Sequence, residues 1–160
     1  MGAESSLLLA DEAATLRLGA ALAEGIGPGR VLHLSGELGA GKTTLVRGLL
    51  RELGHTGRVK SPSYTLVELY VVSRLHLYHF DFYRFKERSE WRESGFREYF
   101  NPHSACVVEW PERAGTDLAP PDLAVRLAID DGGRRAWLSA GTAAGEAWLS
   151  RSLRRFSSAS

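Results

Sequence analysis

Cysteine is nearly missing from this chain: Cys106 stands alone among 160 residues, so no internal disulfide can form and the fold must rest on its core. A lone cysteine suits a reducing compartment. Long apolar runs are missing too. None approaches the ~20 residues that a membrane-spanning helix needs, so no membrane crossing is expected. The opening stretch MGAESSLLLADEAA carries acids early and has no basic segment ahead of its leucines, unlike a secretory leader. Gly2 sits where a myristoyl group could attach, but the residues after it fit that signal poorly. Nor is there an excess of one charge. Twenty basic and 19 acidic side chains leave a net charge of +1, which argues against a whole-surface grip on nucleic acid and leaves room only for a local basic patch. The expectation is a cytoplasmic protein, monomeric on its own.

What is present is ordinary globular material, 44% hydrophobic and 24% charged, in a length that fits one domain. That domain is expected over residues 1–156, with the serine-rich residues 157–160 as a frayed tail. Asp11 is a plausible N-cap for a helix carrying Ala14, Leu18, Ala21 and Leu22 at helical spacing, stopped by Gly25 and Gly27-Pro28-Gly29. Val31 to Leu34 reads as a short buried strand, and Thr43 to Leu53 as a helix with leucines on one side. A hairpin is predicted from Tyr64 to Val72 and Leu75 to Phe82, turning at Ser73-Arg74. Glu87 to Phe100 reads as one surface helix and Ala105 to Val108 as another buried strand. Leu123 to Ile129 and Arg135 to Ser139 form a second strand pair around Asp131-Gly132-Gly133, and Thr142 to Phe156 a closing helix. Strands alternating with helices, interrupted by a hairpin, predict an α/β sandwich with a mixed central sheet flanked by helices.

Between the first of these strands and its helix lies Gly36-Glu37-Leu38-Gly39-Ala40-Gly41-Lys42-Thr43, which satisfies G-x-x-x-x-G-K-[ST]. Glycines let backbone N–H groups approach phosphate oxygens, and the helix start points its positive dipole at the same anion. Lys42 then supplies a point charge and the Thr43 hydroxyl a ligand for Mg²⁺. The segment predicts ATP and Mg²⁺ as cofactors in a P-loop fold.

Turnover also needs an acid near the metal. Asp81 and Glu109 each end an apolar strand, where α/β sheets collect ligands. Ser61-Pro62-Ser63-Tyr64-Thr65 reads either as a simple Ser-Pro turn or as a switch segment whose Thr65 senses phosphate. The five histidines offer no metal set: His76 and His79 fall on opposite faces of one strand. Cys106 reads as an inert core thiol.

Four blocks in order, Gly36 to Thr44, Ser61 to Val67, His79 to Arg84 and Glu109-Trp110-Pro111-Glu112, closely resemble the TsaE (YjeE) family. The resemblance spans roughly residues 5–140. It implies the ATPase component of bacterial threonylcarbamoyladenosine synthesis on tRNA, slow alone and activated by TsaB and TsaD, with tRNA met indirectly through the complex. It also implies ATP contacts at Asp11, Glu37, Leu38, Gly39, Ala40, Gly41, Lys42, Thr43, Thr44 and Arg134, and a catalytic set of Lys42, Thr65, Asp81 and Glu109. Thr43, Asp81 and Glu109 are its implied metal residues. Ser63-Tyr64 and Phe82 depart slightly from the usual wording, and neither removes a proposed ligand. The competing readings are a small-molecule or nucleoside kinase, disfavoured by the lack of an arginine-rich lid segment, and a nucleotide-sensing module without turnover.

Overall fold

The computed structural model describes residues 4–158. It is a single-domain α/β fold around one seven-stranded sheet. In chain order the elements are β1 (Glu4–Leu9), α1 (Glu12–Leu22), β2 (Val31–Ser35), α2 (Lys42–Glu52), β3 (Val67–Val72), β4 (Leu75–Asp81), α3 (Ser89–Ser94), β5 (Ser104–Glu109), β6 (Leu123–Asp130), β7 (Gly133–Ala140) and α4 (Ala143–Ser158). The sheet order is β1-β7-β6-β2-β5-β4-β3. Strands β6, β2, β5 and β4 run parallel, while β3, β7 and β1 pair antiparallel at the two sides. The expected mixed sheet is present.

Alternation along the central strands divides the core into two. Leu32, Leu34, Leu77, Val107 and Val125 point to one face, where they meet Leu18 and Leu22 of α1, Leu45 and Leu49 of α2, and Trp148 and Leu149 of α4. Phe80, Cys106 and Val108 point to the other, joined by Phe82, Phe85 and Trp91. Each fully buried leucine contributes about 1.5–3 kcal/mol relative to exposure, so the larger cluster secures α1 and α2 against the sheet. Helices α1 and α2 cross at glycine: a Cβ on Gly48 would lie 2.2 Å from the Leu16 carbonyl oxygen. That approach sets where α2 begins, and hence where Lys42 and Thr43 stand.

Residues 4–9, for which no strand was expected, form the edge strand β1, held by backbone pairing with β7 from Glu4↔Ser139 to Leu9↔Arg134. Three expectations change. The first strand of the hairpin begins at Val67 and not at the expected Tyr64, because Leu66, at φ +71°, turns the chain just before it. The expected helix from Glu87 to Phe100 is broken: Gly95, at φ +79°, ends α3, and a separate 3₁₀ turn runs from Phe96 to Tyr99. Helix α4 continues through Ser158, beyond the expected end at 156, so Ser157 and Ser158 are helical. Residues 159 and 160 of the expected tail lie outside the described residues.

Candidate active site

The loop after β2 turns sharply into α2. Gly36, Gly39 and Gly41 have φ of +140°, +81° and +107°. At Gly36 a Cβ would also lie 2.3 Å from the Leu127 carbonyl oxygen, so only glycine fits. Gly41 caps α2 without a side-chain acceptor, which leaves the first-turn N–H groups for an anionic ligand. Lys42 is buried and reaches back over the loop, donating to the carbonyl oxygens of Gly36 at 2.5 Å and Glu37 at 2.9 Å. Its ammonium also lies 4.5 Å from the centre of the Trp110 ring. Burial lowers the lysine pKa, against the opposing pull of Glu109, Asp81, Glu112 and Glu37.

Both strand-end carboxylates converge on this loop. Asp81 and Glu109 are paired across the parallel β4–β5 ladder and both are buried. The Thr43 hydroxyl lies 3.1 and 3.3 Å from the two Glu109 oxygens. On Asp81, Oδ1 accepts the Tyr83 N–H at 2.9 Å and Oδ2 accepts the Ser61 hydroxyl. A cleft of about 450 Å³ is lined by Gly41, Lys42, Thr43, Asp81, Glu109 and Trp110, with Ser61, Ser63, Tyr83 and Arg84 on its rim. Among the described residues no group of three or more His, Cys, Asp or Glu is arranged to hold a metal. Mg²⁺ does not need such a cage: it is ordinarily held by one or two carboxylates and substrate phosphates. Thr43, Asp81 and Glu109 fit that role.

The family model for threonylcarbamoyl adenosine biosynthesis protein TsaE matches residues 9–136. The chain belongs to the TsaE family. It is 45% identical over 116 residues to the Haemophilus influenzae tRNA threonylcarbamoyladenosine biosynthesis protein TsaE, covering 72% of this chain and 73% of that relative. It is 35% identical over 130 residues to the protein of the same name from Rickettsia felis, covering 81% and 75%. The crystal structure of Bacillus subtilis YdiB superposes with a TM-score of 0.82 at 29% identity, covering 96% of this chain and 97% of that one. With its glycine loop, the chain is a P-loop nucleotide-binding protein of this family.

The remaining sequence-predicted residues of this TsaE-family chain sit around the cleft. Leu38 is exposed at the loop tip, Gly39 and Thr44 line the cleft, and Ala40 is fully buried. The Glu37 carbonyl is taken by Lys42. Arg134 grips the loop itself, donating from Nη2 to the Gly39 carbonyl at 2.9 Å and from Nε to the Ala40 carbonyl at 3.1 Å. With Asp11, Thr15, Gly41, Thr44 and Gly132 it lines a second cavity of about 320 Å³ beside the loop. Asp11 caps α1, its Oδ1 accepting the Ala14 N–H at 2.9 Å. Thr65 is exposed and lines a neighbouring cavity with Arg58, Lys60 and Pro62, so in this structure Ser61 and Ser63 reach the main cleft and Thr65 does not. No described helix is long and apolar enough to cross a membrane.

From the sequence His79 is weighed only as a zinc partner for His76, and its place beside Glu109 is not foreseen. It is fully buried, and its Nε2 lies 2.6 Å from Glu109 Oε2. The signal was available: His79 and Asp81 are two apart on one strand, so they share a face.

Proposed function

We propose that this chain binds ATP with Mg²⁺ and hydrolyses it slowly on its own, as a partner-activated subunit in threonylcarbamoyl modification at adenosine 37 of tRNAs reading ANN codons. In this reading it acts with TsaB and TsaD, meets tRNA only through their complex, and uses turnover to reset that complex between rounds. Convergence of Lys42, Thr43, Asp81 and Glu109 on one cleft supports it most strongly. The loop N–H groups and Lys42 would bind the phosphates, and Thr43, Asp81 and Glu109 would hold the metal. When bound, Mg²⁺ neutralises charge developing on the phosphoryl oxygens. A phosphate would offer Lys42 a charged acceptor in place of the neutral carbonyls of Gly36 and Glu37, and so a stronger hydrogen bond.

The names of the relatives place those proteins in tRNA threonylcarbamoyladenosine biosynthesis, and we extend that pathway to this chain. The test is ATP hydrolysis by the purified protein with and without TsaB–TsaD and tRNA. Slow basal turnover with marked stimulation is expected. ATP binding without any stimulation would overturn the partner-activated reading, and phosphoryl transfer to a metabolite would replace it with a kinase.

A further inference from the structure

We propose that His79 is a positioning residue that holds the Glu109 carboxylate in the one orientation that presents its other oxygen to the metal. The proposal rests on the reading that Mg²⁺ and ATP occupy the cleft. Three observations carry it. First, His79 is fully buried on a strand whose other residues on that face before the site, Leu75 and Leu77, are apolar. A leucine there would avoid the cost of burying a polar ring. Second, the ring's hydrogen bonding is spent on Glu109. Nε2 donates to Oε2 at 2.6 Å, while Nδ1 has no hydrogen-bond partner among the described residues. A histidine kept only for packing or for a local network has no reason to aim its single bond at an acid of the cleft.

Third, the division of labour on the carboxylate is uneven. Oε2 takes His79 at 2.6 Å and the Thr43 hydroxyl at 3.1 Å, whereas Oε1 has only the longer Thr43 contact of 3.3 Å. An unconstrained glutamate has several rotatable bonds and would sample orientations that turn both oxygens away. The imidazole removes that freedom from the sheet side. Because β4 and β5 are hydrogen-bonded in parallel, with His79 opposite Val107 and Asp81 opposite Glu109, the ring approaches from one pleat behind the two acids. It therefore stays behind the carboxylate and away from the ligand.

The test uses atom placement. Glutamine can set its amide nitrogen where Nε2 stands, whereas asparagine is too short to do so. The full chain with His79→Asn should lose about 10- to 100-fold in kcat/KM, with KM for ATP in the presence of Mg²⁺ rising as the increase in affinity for mant-ATP on adding Mg²⁺ shrinks by a similar factor. His79→Gln should recover most of both, and affinity for mant-ATP without Mg²⁺ should stay as in the wild type throughout. Equal behaviour of the Asn and Gln variants, or a loss of mant-ATP affinity without Mg²⁺, would overturn the proposal. If His79→Asn does not fold, a folded His79→Gln that has lost the Mg²⁺ effect overturns it, and one that keeps both effects supports it. A wild-type protein with no Mg²⁺ effect and no turnover would instead defeat the reading of the cleft itself.

Discussion

Replacing Gly19 by alanine isolates the packing that seats the P-loop helix. The new Cβ would stand 2.1 Å from the Leu45 carbonyl oxygen and 2.8 Å from the Leu49 amide nitrogen, where ordinary contact begins at 3.4 Å. Both atoms are backbone within α2 and cannot rotate away, so α1 and α2 would have to part by about 1 Å. That separation loosens Leu18, Leu22, Leu45 and Leu49, all fully buried. Overpacking of this kind costs about 3 kcal/mol at the upper end of its usual range. Alanine in place of glycine inside a helix returns about 1 kcal/mol, leaving a net loss of about 2 kcal/mol. In a domain of this size that lowers Tm by roughly 4–8 °C. In urea the midpoint should fall with the slope m unchanged. Gly27→Ala is the control: no heavy atom lies within 4 Å of its Cβ, so it should be neutral or gain about 0.4–1 kcal/mol. Since α2 starts with Lys42 and Thr43, nucleotide affinity should weaken in the Gly19 variant only. A Gly19→Ala protein as stable as the wild type would refute the claim that this crossing is filled to contact.

Further outcomes follow from the cleft and the core. Lys42→Ala should abolish both nucleotide binding and hydrolysis, whereas Glu109→Ala should stop hydrolysis and spare much of the binding, measured by calorimetry beside a phosphate-release assay. Asp81→Asn should lower turnover more than ATP affinity; normal turnover would remove Asp81 from the catalytic set. Burial beside the Ala119 carbonyl pushes His33 down to about 4 from its ordinary 6.5, the carbonyl opposing the shift. Between those values the unfolded chain binds the extra proton and the folded one does not, so stability present above pH 6.5 should fall as pH drops towards 4. His33→Gln should flatten that fall by on the order of 2 kcal/mol, allowing for the ring's partial exposure, and an unchanged profile would count against it. Burial pushes the Cys106 thiol up to about 12. Its reaction with a disulfide reagent at pH 8 should therefore be slow and track unfolding; rapid modification of the stable protein would contradict its burial.

The parts legible in the sequence were those whose cause is local. The glycines, lysine and threonine of the P-loop lie within the one segment Gly36 to Thr43, so their geometry follows from backbone freedom and the adjoining helix. Asp11 as a cap and the 3.6-residue spacing of α1 and α2 are equally local. Boundaries set by backbone pairing or by a single φ angle were not legible, as β1 and the break at Gly95 show.

By itself, then, the sequence determined that a phosphate cradle stands between a buried strand and an amphipathic helix, and that Asp81 and Glu109 end strands. Only the tertiary structure decided that those two ends are neighbours. β4 and β5 come together through parallel pairing of segments far apart in the chain, and no local pattern encodes which strand lies beside which. That pairing set His79 behind Glu109, the β6–β7 pairing placed Arg134 beside the loop carbonyls, and the loop ahead of β3 brought Ser61 to Asp81 while leaving Thr65 outside. Each of these contacts depends on the register of the sheet, and register is fixed by the packing of the whole core.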